Sequence, residues 1–387
     1  MDIRVFNKAG EPLGLVDEMA ALVWTIRYFK IGEFQLQAPM TPNNRELLKI
    51  GNVVVKHDGY IDLIDDEDTA WRRAMEITYV KYSRDSEGQQ LIEATGQSIA
   101  SWLNLRVIYP QLQYSGTLQE IINFLYDKNG GTGTDDTARK FPANFTVLDQ
   151  EDFGGSTVSY SNEELTYLGE EIISLTQRGK LGFDILVDEA GKRFGFYLYK
   201  GADKTADNTA GNAPCIFSTE YDNVTGQEFE DDVTNYRTVA YVRGAPDSEG
   251  YVDIVTVGDT TDTGLDRREL AVDASDIQRQ AEDDEGQQED IPEGTYQAML
   301  ATKGLTELSS SIESYTFNSN IRTESNLKYK RDFDIGDRIT CLERSWGVTI
   351  NSRITEIIQT FEAGSATITA TFGESSPTLL EKIRKVR

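Results

Sequence analysis

"LIEATGQS" at residues 91–98 and "TITATFGES" at residues 367–375 are nearly the same strand ending, written once in the first quarter of the chain and once at its close. Both alternate apolar and polar residues, pass through Ala-Thr and a Gly, and stop at small polar residues. Each follows a Gly suited to a hairpin turn, Gly88 or Gly364. The alternation predicts strands, and the echo predicts that a β-rich segment is duplicated, with one strand order in both copies.

Turn signals and hydrophobic periodicity divide the chain into a β-rich, an α/β and a second β-rich part. Short strands with frequent turns predict a small β-barrel or sandwich over residues 1–105. The sequence then predicts a peripheral α/β region at 106–274, as one domain or as two split near 182, an acidic linker and helix at 275–310, a second β-barrel at 311–376, and a basic C-terminal helix at 377–387. The predicted fold class is mixed β and α+β, with two related small β-barrel domains at the chain ends flanking α/β domains.

Three helices are predicted between the β-rich ends. The cap signals are Thr117 with Glu120 and a stop at Asn129-Gly130 for the first helix, and Ser161 with Glu164 and a stop at Gly179 for the second. Apolar spacing predicts the third helix over residues 293–308.

The length and the apolar runs restrict the class of protein. A chain of 387 residues is longer than one hydrophobic core usually serves, which predicts two to four domains. No apolar run approaches the roughly 20 residues of a membrane span, so we expect no stable membrane insertion. The strand pattern of "MDIRVFN" begins at residue 1, so we expect no signal peptide and synthesis in a cytoplasm.

Acidic residues dominate the composition. Asp and Glu number 65 against 38 Lys and Arg, a formal net charge of −27. Such a surface repels phosphate backbones, which disfavours specific nucleic-acid binding through a basic groove. Two interpretations stay open: the charge keeps a concentrated protein soluble, or it belongs to a surface past which DNA slides without adhering.

Few side chains suit catalysis or zinc binding. His57 is the single histidine and precedes Asp58-Gly59, which predicts an exposed imidazole at a hairpin turn. Cys215 and Cys341 each lie in an apolar strand-like run, which predicts buried reduced thiols. With one His and no Cys/His cluster, zinc sites and Ser-His-Asp or Cys-His catalysis are nearly excluded.

Acidic and glycine-rich stretches also lack the spacing of a site. "EFEDDVTNY" (228–236) and "DDEDTAW" (65–71) predict solvated turns, because adjacent carboxylates seldom converge on one bond. "GDTTDTGLD" (258–266) departs from the EF-hand pattern, which leaves calcium as a minor alternative. "KNGGTGTDD" (128–136) follows a helix, unlike a phosphate-binding loop. We therefore expect no catalytic, cofactor-binding or metal-binding residue, and no enzyme.

Aromatic residues crowd one stretch of the first β-rich part, "LVDEMAALVWTIRYFKIGEFQLQAP" (15–39). Trp24, Tyr28, Phe29 and Phe34 predict core packing. A share of this cluster in a subunit interface is the alternative, because aromatic residues are enriched there.

Three motifs, in order, resemble the tail-tip hub of long non-contractile tailed phages, the Tal-type family, which is similar in fold to the baseplate hub of contractile phages. The first is carried by Trp24, Arg27, Tyr28, Gly32, Glu33 and Phe34. The second, in "CIFSTEYDNV" and "DVTNYRTVAYVRG", is carried by Phe217, Ser218, Asp222, Asn223, Tyr236, Val239, Tyr241 and Gly244. The third has Gly336-Asp337 and Phe372-Gly373 as its fixed points. Together they cover most of the chain.

The resemblance implies a homotrimer at the tail tip of the virion, made in the host cytoplasm. Two barrels from each of three chains form a ring whose six similar surfaces seat a six-fold tube, with the α/β domains outside. Implied partners are the distal tail (adaptor) protein ring, the tail tube, the tape-measure C-terminus and a separate fibre or receptor-binding protein; no cofactor is implied. The residues expected to serve this structure or its interfaces are Trp24, Arg27, Tyr28, Gly32, Phe34, Gly96, Phe217, Asn223, Gly336, Asp337, Phe372 and Gly373.

Other functions stay open beside this one. The chain suits the hub of a contractile injection particle or phage-like bacteriocin, or a carbohydrate-binding tail-tip protein, and a monomeric β protein is the plain alternative. Many members of the family continue into a lytic or fibre-binding extension, whereas this chain stops soon after Gly373, so we expect no cell-wall lytic activity. In a hub, the acidic charge is expected to keep DNA from adhering to the lumen.

Overall fold

The structure, a computed structural model, describes residues 1–373 apart from 66–67, 85, 87, 163–164, 191, 248, 283–287, 312–313, 323 and 363–364. The basic helix predicted at 377–387 and the turn predicted at Gly364 lie outside the described residues. Strands outnumber helices throughout the described part of the chain.

The N-terminal segment consists of short strands and one short helix. Its elements are β1 (Asp2–Phe6), β2 (Pro12–Leu15), β3 (Ala21–Arg27), β4 (Glu33–Pro39), α1 (Pro42–Leu47), β5 (Val53–His57), β6 (Leu63–Ile64), β7 (Ala70–Arg84) and β8 (Gln90–Ser98). A 3₁₀ helix, Ile99–Leu105, follows β8 and leads into the middle of the chain. This segment is strand-rich, as its sequence predicts.

The middle of the chain mixes helices and strands. Its elements are β9 (Gln113–Gly116), α2 (Leu118–Asn129), β10 (Phe145–Val147), β11 (Val158–Ser161), α3 (Leu168–Gly179), β12 (Gly182–Asp188), β13 (Arg193–Tyr199), β14 (Ile216–Ser218) and β15 (Val224–Asp232). The capping box of Thr117 with Glu120 and the helix end at Asn129 are confirmed. The predicted cap at Ser161 is wrong, because Ser161 ends β11, which pairs with β9.

A small unit of a three-stranded sheet and one helix follows. Its elements are β16 (Val239–Pro246), β17 (Val252–Gly258), β18 (Glu269–Ala274), β19 (Gln280–Glu282), β20 (Gln288–Asp290) and α4 (Glu293–Ser309). The sheet order is β17-β16-β18, and α4 packs over it. The predicted third helix is confirmed, whereas the stretch read as an acidic linker contains the β19–β20 hairpin.

The C-terminal segment returns to strands, and one continuous antiparallel sheet joins it to the N-terminal segment. Its strands are β21 (Ser314–Ile321), β22 (Arg338–Glu343), β23 (Val348–Glu362) and β24 (Ser365–Gly373). Eight strands lie side by side in the order β15-β21-β24-β23-β3-β4-β8-β7. We call the pairing of β3 with β23 the seam.

The two halves of this sheet repeat one another. Repeat 1 has the sheet order β3-β4-β8-β7, and repeat 2 has the sheet order β15-β21-β24-β23. In each repeat the strand that comes third in the sequence, β7 or β23, lies at the edge of the repeat, and the strand that comes fourth lies inside it. The paired strands have equal lengths, 15 residues for β7 and β23 and 9 for β8 and β24. The β7–β8 and β23–β24 ladders have a bulge at the same place: the Thr that follows Ile77 in β7, or Ile354 in β23, has no ladder partner in the neighbouring strand. The predicted duplication is therefore confirmed in strand order and register.

The two closed barrels predicted at the chain ends are not formed. Pairings among the described strands make no closed circuit. Closing repeat 1 on itself requires the outer edge of β3, and that edge is hydrogen-bonded to β23 across the seam. The first strand of repeat 2, β15, lies within the predicted α/β region at 106–274 and not within the predicted barrel at 311–376. Residues 233–313 separate β15 from β21 in the sequence.

One hydrophobic core lies against both repeats. It includes Trp24 and Phe34 from repeat 1 together with Phe317 and Phe372 from repeat 2. A second core fills the space between α2, α3 and the β12–β13 hairpin, and a third lies beneath α4. The small unit therefore has a core of its own, whereas the middle region shares its core with Phe6, Val53, Val55 and Ala74 of the N-terminal segment, and the two chain ends share the first core.

Tyr28 ties the repeats to the middle region. Its backbone N–H donates to the carbonyl of Thr355 at 2.9 Å, and its hydroxyl donates to the carbonyl of Lys180 at 3.0 Å. Its ring fills the space beside Gly336, whose φ is +91° and where a Cβ would lie 2.3 Å from the ring. This position accepts only glycine, for its conformation and for the close approach.

Of the predicted isolated side chains, the two thiols are confirmed and the histidine is wrong. Cys215 and Cys341 are free and buried, and burial raises the pKa of Cys215 to about 12. His57 is half-buried, with its Nε2 2.5 Å from the carboxylate of Glu189. The loop after β12 covers the imidazole, and the sequence of the turn alone does not reveal that packing.

A buried ion network links the segments behind the sheet. Lys330 Nζ lies 2.9 Å from Asp62, and Arg73 contacts Asp62 and Asp184. Burial alone raises the pKa of Asp62, but the positive charges of Arg73 and Lys330 outweigh it and hold that pKa well below its ordinary value. Asp62 therefore stabilises the fold as a carboxylate.

Replacing Asp62 with Asn is expected to lower the urea midpoint of unfolding at pH 7, because two buried cations lose their shared partner. Since the pKa of Asp62 is lower in the folded chain, its contribution is present above about pH 4 and is lost as the pH falls further. Tryptophan fluorescence during urea unfolding at pH 7, 5 and 3.5 checks this, with D62N flatter than the wild type. The control is E46Q, which removes the exposed Glu46–Lys49 pair; profiles of D62N and wild type that run parallel would contradict the account.

Replacing Gly96 with Ala is expected to destabilise repeat 1 by about 2 kcal/mol or more, because overpacked sites cost that much. A Cβ at Gly96 would lie 1.7 Å from the carbonyl oxygen of Glu76, beside the bulge of β7. Thermal unfolding measures the change. Gly294→Ala is the matched control, because no atom lies within 4 Å of its Cβ position in α4 and Ala favours a helix. Equal melting temperatures for G96A and G294A would contradict the prediction.

Candidate functional site

The aromatic residues named from the sequence form matching rows across the two repeats. The ladders place Trp24, Phe34, Gly96 and Ile77 in one row, and Phe229, Phe317, Phe372 and Ile354 in the other. Trp24 and Phe34 are buried, with ring centroids 6.0 Å apart. The cluster of Trp24, Tyr28, Phe29 and Phe34 is at most 7% exposed, so it packs the core of the chain.

Arg27 and Gly32 fix the end of the seam. Arg27 Nε donates to Glu356 at 2.7 Å across the seam, and its Nη2 donates to Glu33 at 2.6 Å. Burial lowers the pKa of Arg27, but the hydrogen bonds to these two carboxylates raise it above its ordinary value. The carbonyl of Gly32 accepts from the Ser98 N–H at 2.8 Å. These contacts hold the β3–β4 turn against both neighbouring strands.

The remaining named residues support repeat 2 from inside. Phe217 packs on Phe333 and Phe372, with centroids 5.2 and 4.9 Å apart. The buried amide of Asn223 accepts from the Ser218 N–H at 2.9 Å, so it fixes the turn before β15.

Asp337 and Gly373 complete that set. Asp337 accepts from the N–H groups of Ala202 and Asp334 and from Lys204 Nζ, at 2.8–2.9 Å. Gly373 pairs with Thr316 at the end of β24. Asp337 is buried, and the contacts of both residues in this structure are with their own chain.

The opposite face of the eight-stranded sheet is polar along its whole width. Thr, Gln and Asn alternate with the core residues, for example at Gln35, Thr95, Asn318 and Thr369. Glu76, which faces Gln97, is paired with Lys8, and seven further carboxylates of the described strands lie on this face, at Glu33, Glu93, Glu228, Glu230, Asp232, Glu356 and Glu362. The cations on it in the described strands are Arg27 and Lys81. We call this surface the polar face, and it carries an excess of five negative charges.

The polar face is concave over repeat 1. A depression there is lined by Val23, Thr25, Gln35, Thr95 and Gln97, among others. Small side chains and flexible amides leave its floor open. The carboxylates of this face repel phosphate groups.

The outer edges of the sheet are the features that the sequence analysis missed. Residues 79–84 of β7 pair with β8 on one side, and residues 228–232 of β15 pair with β21 on one side. The described residues provide no strand on the other side of either edge. The sequence predicts a solvated turn over 228–236, but residues 228–232 belong to β15. The alternation of Phe229 between Glu228 and Glu230 was the signal that could have identified it.

A metal-binding cluster and a helix that could span a membrane are both absent from the described residues. No group of three or more His, Cys, Asp or Glu side chains there is arranged to hold a metal ion. No helix among the described residues is long and apolar enough to cross a membrane. The polar face and its two edges are the candidate site.

Solved structures of phage tail proteins have the same fold. The prophage tail protein gp18 from Listeria monocytogenes EGD-e is 12% identical with a TM-score of 0.54, and the match covers 100% of this chain and 98% of that one. A tail protein from Neisseria meningitidis MC58 has 12% identity, a TM-score of 0.55 and coverage of 97% and 96%. The 43 kDa tail protein of prophage MuSo2 from Shewanella oneidensis has 12% identity, a TM-score of 0.53 and coverage of 96% and 98%.

Sequence comparison places the chain in a family. No curated protein is significantly similar to it in sequence. The family model described as Siphovirus ReqiPepy6 Gp37-like protein matches residues 2–374, which is nearly the whole chain. The fold and this match agree, and the chain belongs to the Siphovirus ReqiPepy6 Gp37-like family of phage tail proteins.

Proposed function

We propose that this protein is the structural hub of a phage tail tip, in which three copies form a ring that continues or closes the tail tube. The observation that carries the proposal is the side-by-side placement of two equivalent four-stranded repeats in one sheet. Three chains contribute six such repeats. A six-fold tube can then seat on a trimer, because each of its subunits meets a similar surface.

The size of the closed sheet agrees with a conduit. Three chains with eight strands each make a wall of 24 strands. With strands about 4.8 Å apart and tilted by 35–45°, that wall is roughly 45–50 Å across between backbones. Sheets of this many strands leave an open channel, and this one is wide enough to pass a DNA duplex.

The polar face lines that channel in the proposed ring, because the opposite face is covered by the core. Its excess of five negative charges per chain becomes fifteen in a trimer. Part of the net charge of −27 therefore lies on the wall of the channel, where it repels the phosphate backbone and keeps DNA from adhering. The protein acts as a conduit and a support, without catalysis.

The units outside the sheet are the proposed attachment points. The small unit has a separate core, and the core of the middle region lies against β1, β5 and the first part of β7, so we place both outside the wall of the ring. The two rims of the ring meet the tail tube with its distal adaptor ring and the C-terminus of the tape-measure protein. A separate fibre or receptor-binding protein attaches on the outside.

Gold-labelled antibodies raised against the chain are expected to bind intact particles at the end of the tail away from the head. Electron microscopy of negatively stained particles is the measurement, with pre-immune antibodies as the control. Label along the length of the tail, or on the head, would contradict the proposed position.

Lysine on the polar face is expected to slow DNA passage, because each added cation creates a phosphate contact. The variant carries Gln35→Lys, Gln97→Lys and Thr367→Lys, three exposed positions of the polar face. The matched control carries the same charge change at exposed positions elsewhere, Thr137→Lys, Thr256→Lys and Gln297→Lys. Adsorbed particles with the first set are expected to deliver DNA about tenfold less efficiently than those with the second, as measured by quantitative PCR of intracellular phage DNA. Equal delivery by the two variants would contradict a channel lined by the polar face.

A further inference from the structure

We propose that the free edge of β7 in one copy of the chain pairs antiparallel with the free edge of β15 in the next copy, in the register of the seam, with Lys81 opposite Glu230. This inference rests on the proposed ring. It adds which edges meet, in what register, and which charges select the correct partner.

The seam provides the template for this contact. Within one chain, the outer edge of β23 in repeat 2 pairs with the outer edge of β3 in repeat 1. In repeat 1 the strand equivalent to β23 is β7, and in repeat 2 the strand equivalent to β3 is β15. Each chain therefore has one satisfied seam and two unsatisfied halves of a second one, which a neighbouring copy can complete.

The register follows from equivalent positions in the ladders. Tyr79 faces Thr95 and Glu356 faces Thr371, so Tyr79 and Glu356 occupy equivalent positions in the two repeats. Lys81 and Ile358 each lie two residues further along their strands, and they are therefore equivalent as well. Phe229 and Trp24 occupy equivalent positions in the two aromatic rows. Glu230 follows Phe229 and Thr25 follows Trp24, so Glu230 is equivalent to Thr25. Ile358 faces Thr25 in the seam. Lys81 therefore faces Glu230 in the contact between chains.

The charges of the two edges are complementary. The β15 edge carries four carboxylates within five residues, at Glu228, Glu230, Asp231 and Asp232. The β7 edge carries Lys81 and Arg84 and no acid among residues 79–84. In a chain with 65 acidic against 38 basic residues, a basic edge facing an acidic edge favours their mutual contact.

Apolar surface at both edges is covered by the same contact. Tyr82 lies on the core side of β7, opposite Ile92, yet its residue surface is 55% exposed. In the register of the seam Tyr82 faces Phe229, whose ring lies beside Phe317. Trp346 also lies beside Phe317 and is 50% exposed. Pairing removes part of this aromatic surface from water.

The sign of the charges selects a head-to-tail contact over a symmetric dimer. Two β15 edges brought together place four carboxylates against four, and two β7 edges place cations against cations. Like charges directly opposite each other destabilise a pair of strands. A heterologous contact of β7 with β15 avoids both repulsions, and such a contact closes into a ring when its rotation permits.

Cysteines at the facing positions test the register in the assembled particle. The variant is Lys81→Cys with Glu230→Cys in the full chain, produced in phage-infected cells, and purified tails are oxidised before non-reducing electrophoresis. Directly opposed strand residues have Cα atoms about 4.5–5.5 Å apart, within the range of a disulfide. We expect a covalent product of three chains that reducing agent converts to one. Native Cys215 and Cys341 are buried and add no background.

A matched pair out of register is the control. Tyr79→Cys with Glu228→Cys uses the same two edges, but each residue then faces a position four residues from its partner, roughly 13 Å along the strands. We expect at least about tenfold less cross-linked product from this pair. Equal cross-linking by both pairs, or preferred cross-linking by the control, would overturn the register.

Charge reversal separates a failed edge contact from a failed fold. Lys81→Glu is expected to weaken assembly of the chain into tails by roughly fivefold or more, and Glu230→Lys in the same chain to restore it, because the pair is opposite again. No restoration would overturn the pairing of these two residues. If tails contain the chain as a trimer but the in-register pair gives no cross-link, the edge contact is wrong and the hub proposal stands. If the chain is absent from tails, the hub proposal fails as well.

Discussion

The hydrogen-bonded pairing of β3 with β23 is the contact on which the rest of the structure depends. It joins residues 21–27 to residues 356–362 in seven consecutive pairs, although more than three hundred positions of sequence separate them. One edge of repeat 1, β3, and one edge of repeat 2, β23, are hydrogen-bonded to each other. Neither repeat can therefore close on itself into a barrel. The chain is left with an open eight-stranded sheet, a shared core on one face and a polar surface on the other.

The contacts behind and across the sheet serve to keep that pairing in place. Tyr28 connects repeat 1 to the Thr355 backbone, Arg27 bridges Glu33 and Glu356, and Lys330 reaches Asp62 from the other end of the chain. A sheet held mainly by backbone hydrogen bonds and alternation places few demands on the identity of surface residues. That property agrees with a fold shared with other tail proteins at 12% identity.

Local signals predicted local structure well, and the long-range pairing was beyond them. The strand echo identified the duplication, and the capping box at Thr117 identified α2, because both depend on neighbours in sequence. The closed barrels were wrong, because the partner of β3 is β23 and no sequence pattern specifies which edge a strand finds. The site was predicted only in part: Trp24, Gly96 and Phe372 are the rows that build the sheet, whereas the β15 edge was hidden by its acidic composition and by the insertion that separates it from β21.

An electron cryo-microscopy map of the tail tip, at a resolution that separates strands, tests the central claim most directly. The account predicts a continuous wall of 24 strands in which the eight-strand order of the chain occurs three times, with the polar face of the sheet toward the axis. A channel bounded by the α2–α3 region or by the α4 unit, or strands of neighbouring chains that never come into hydrogen-bonding distance, would contradict it.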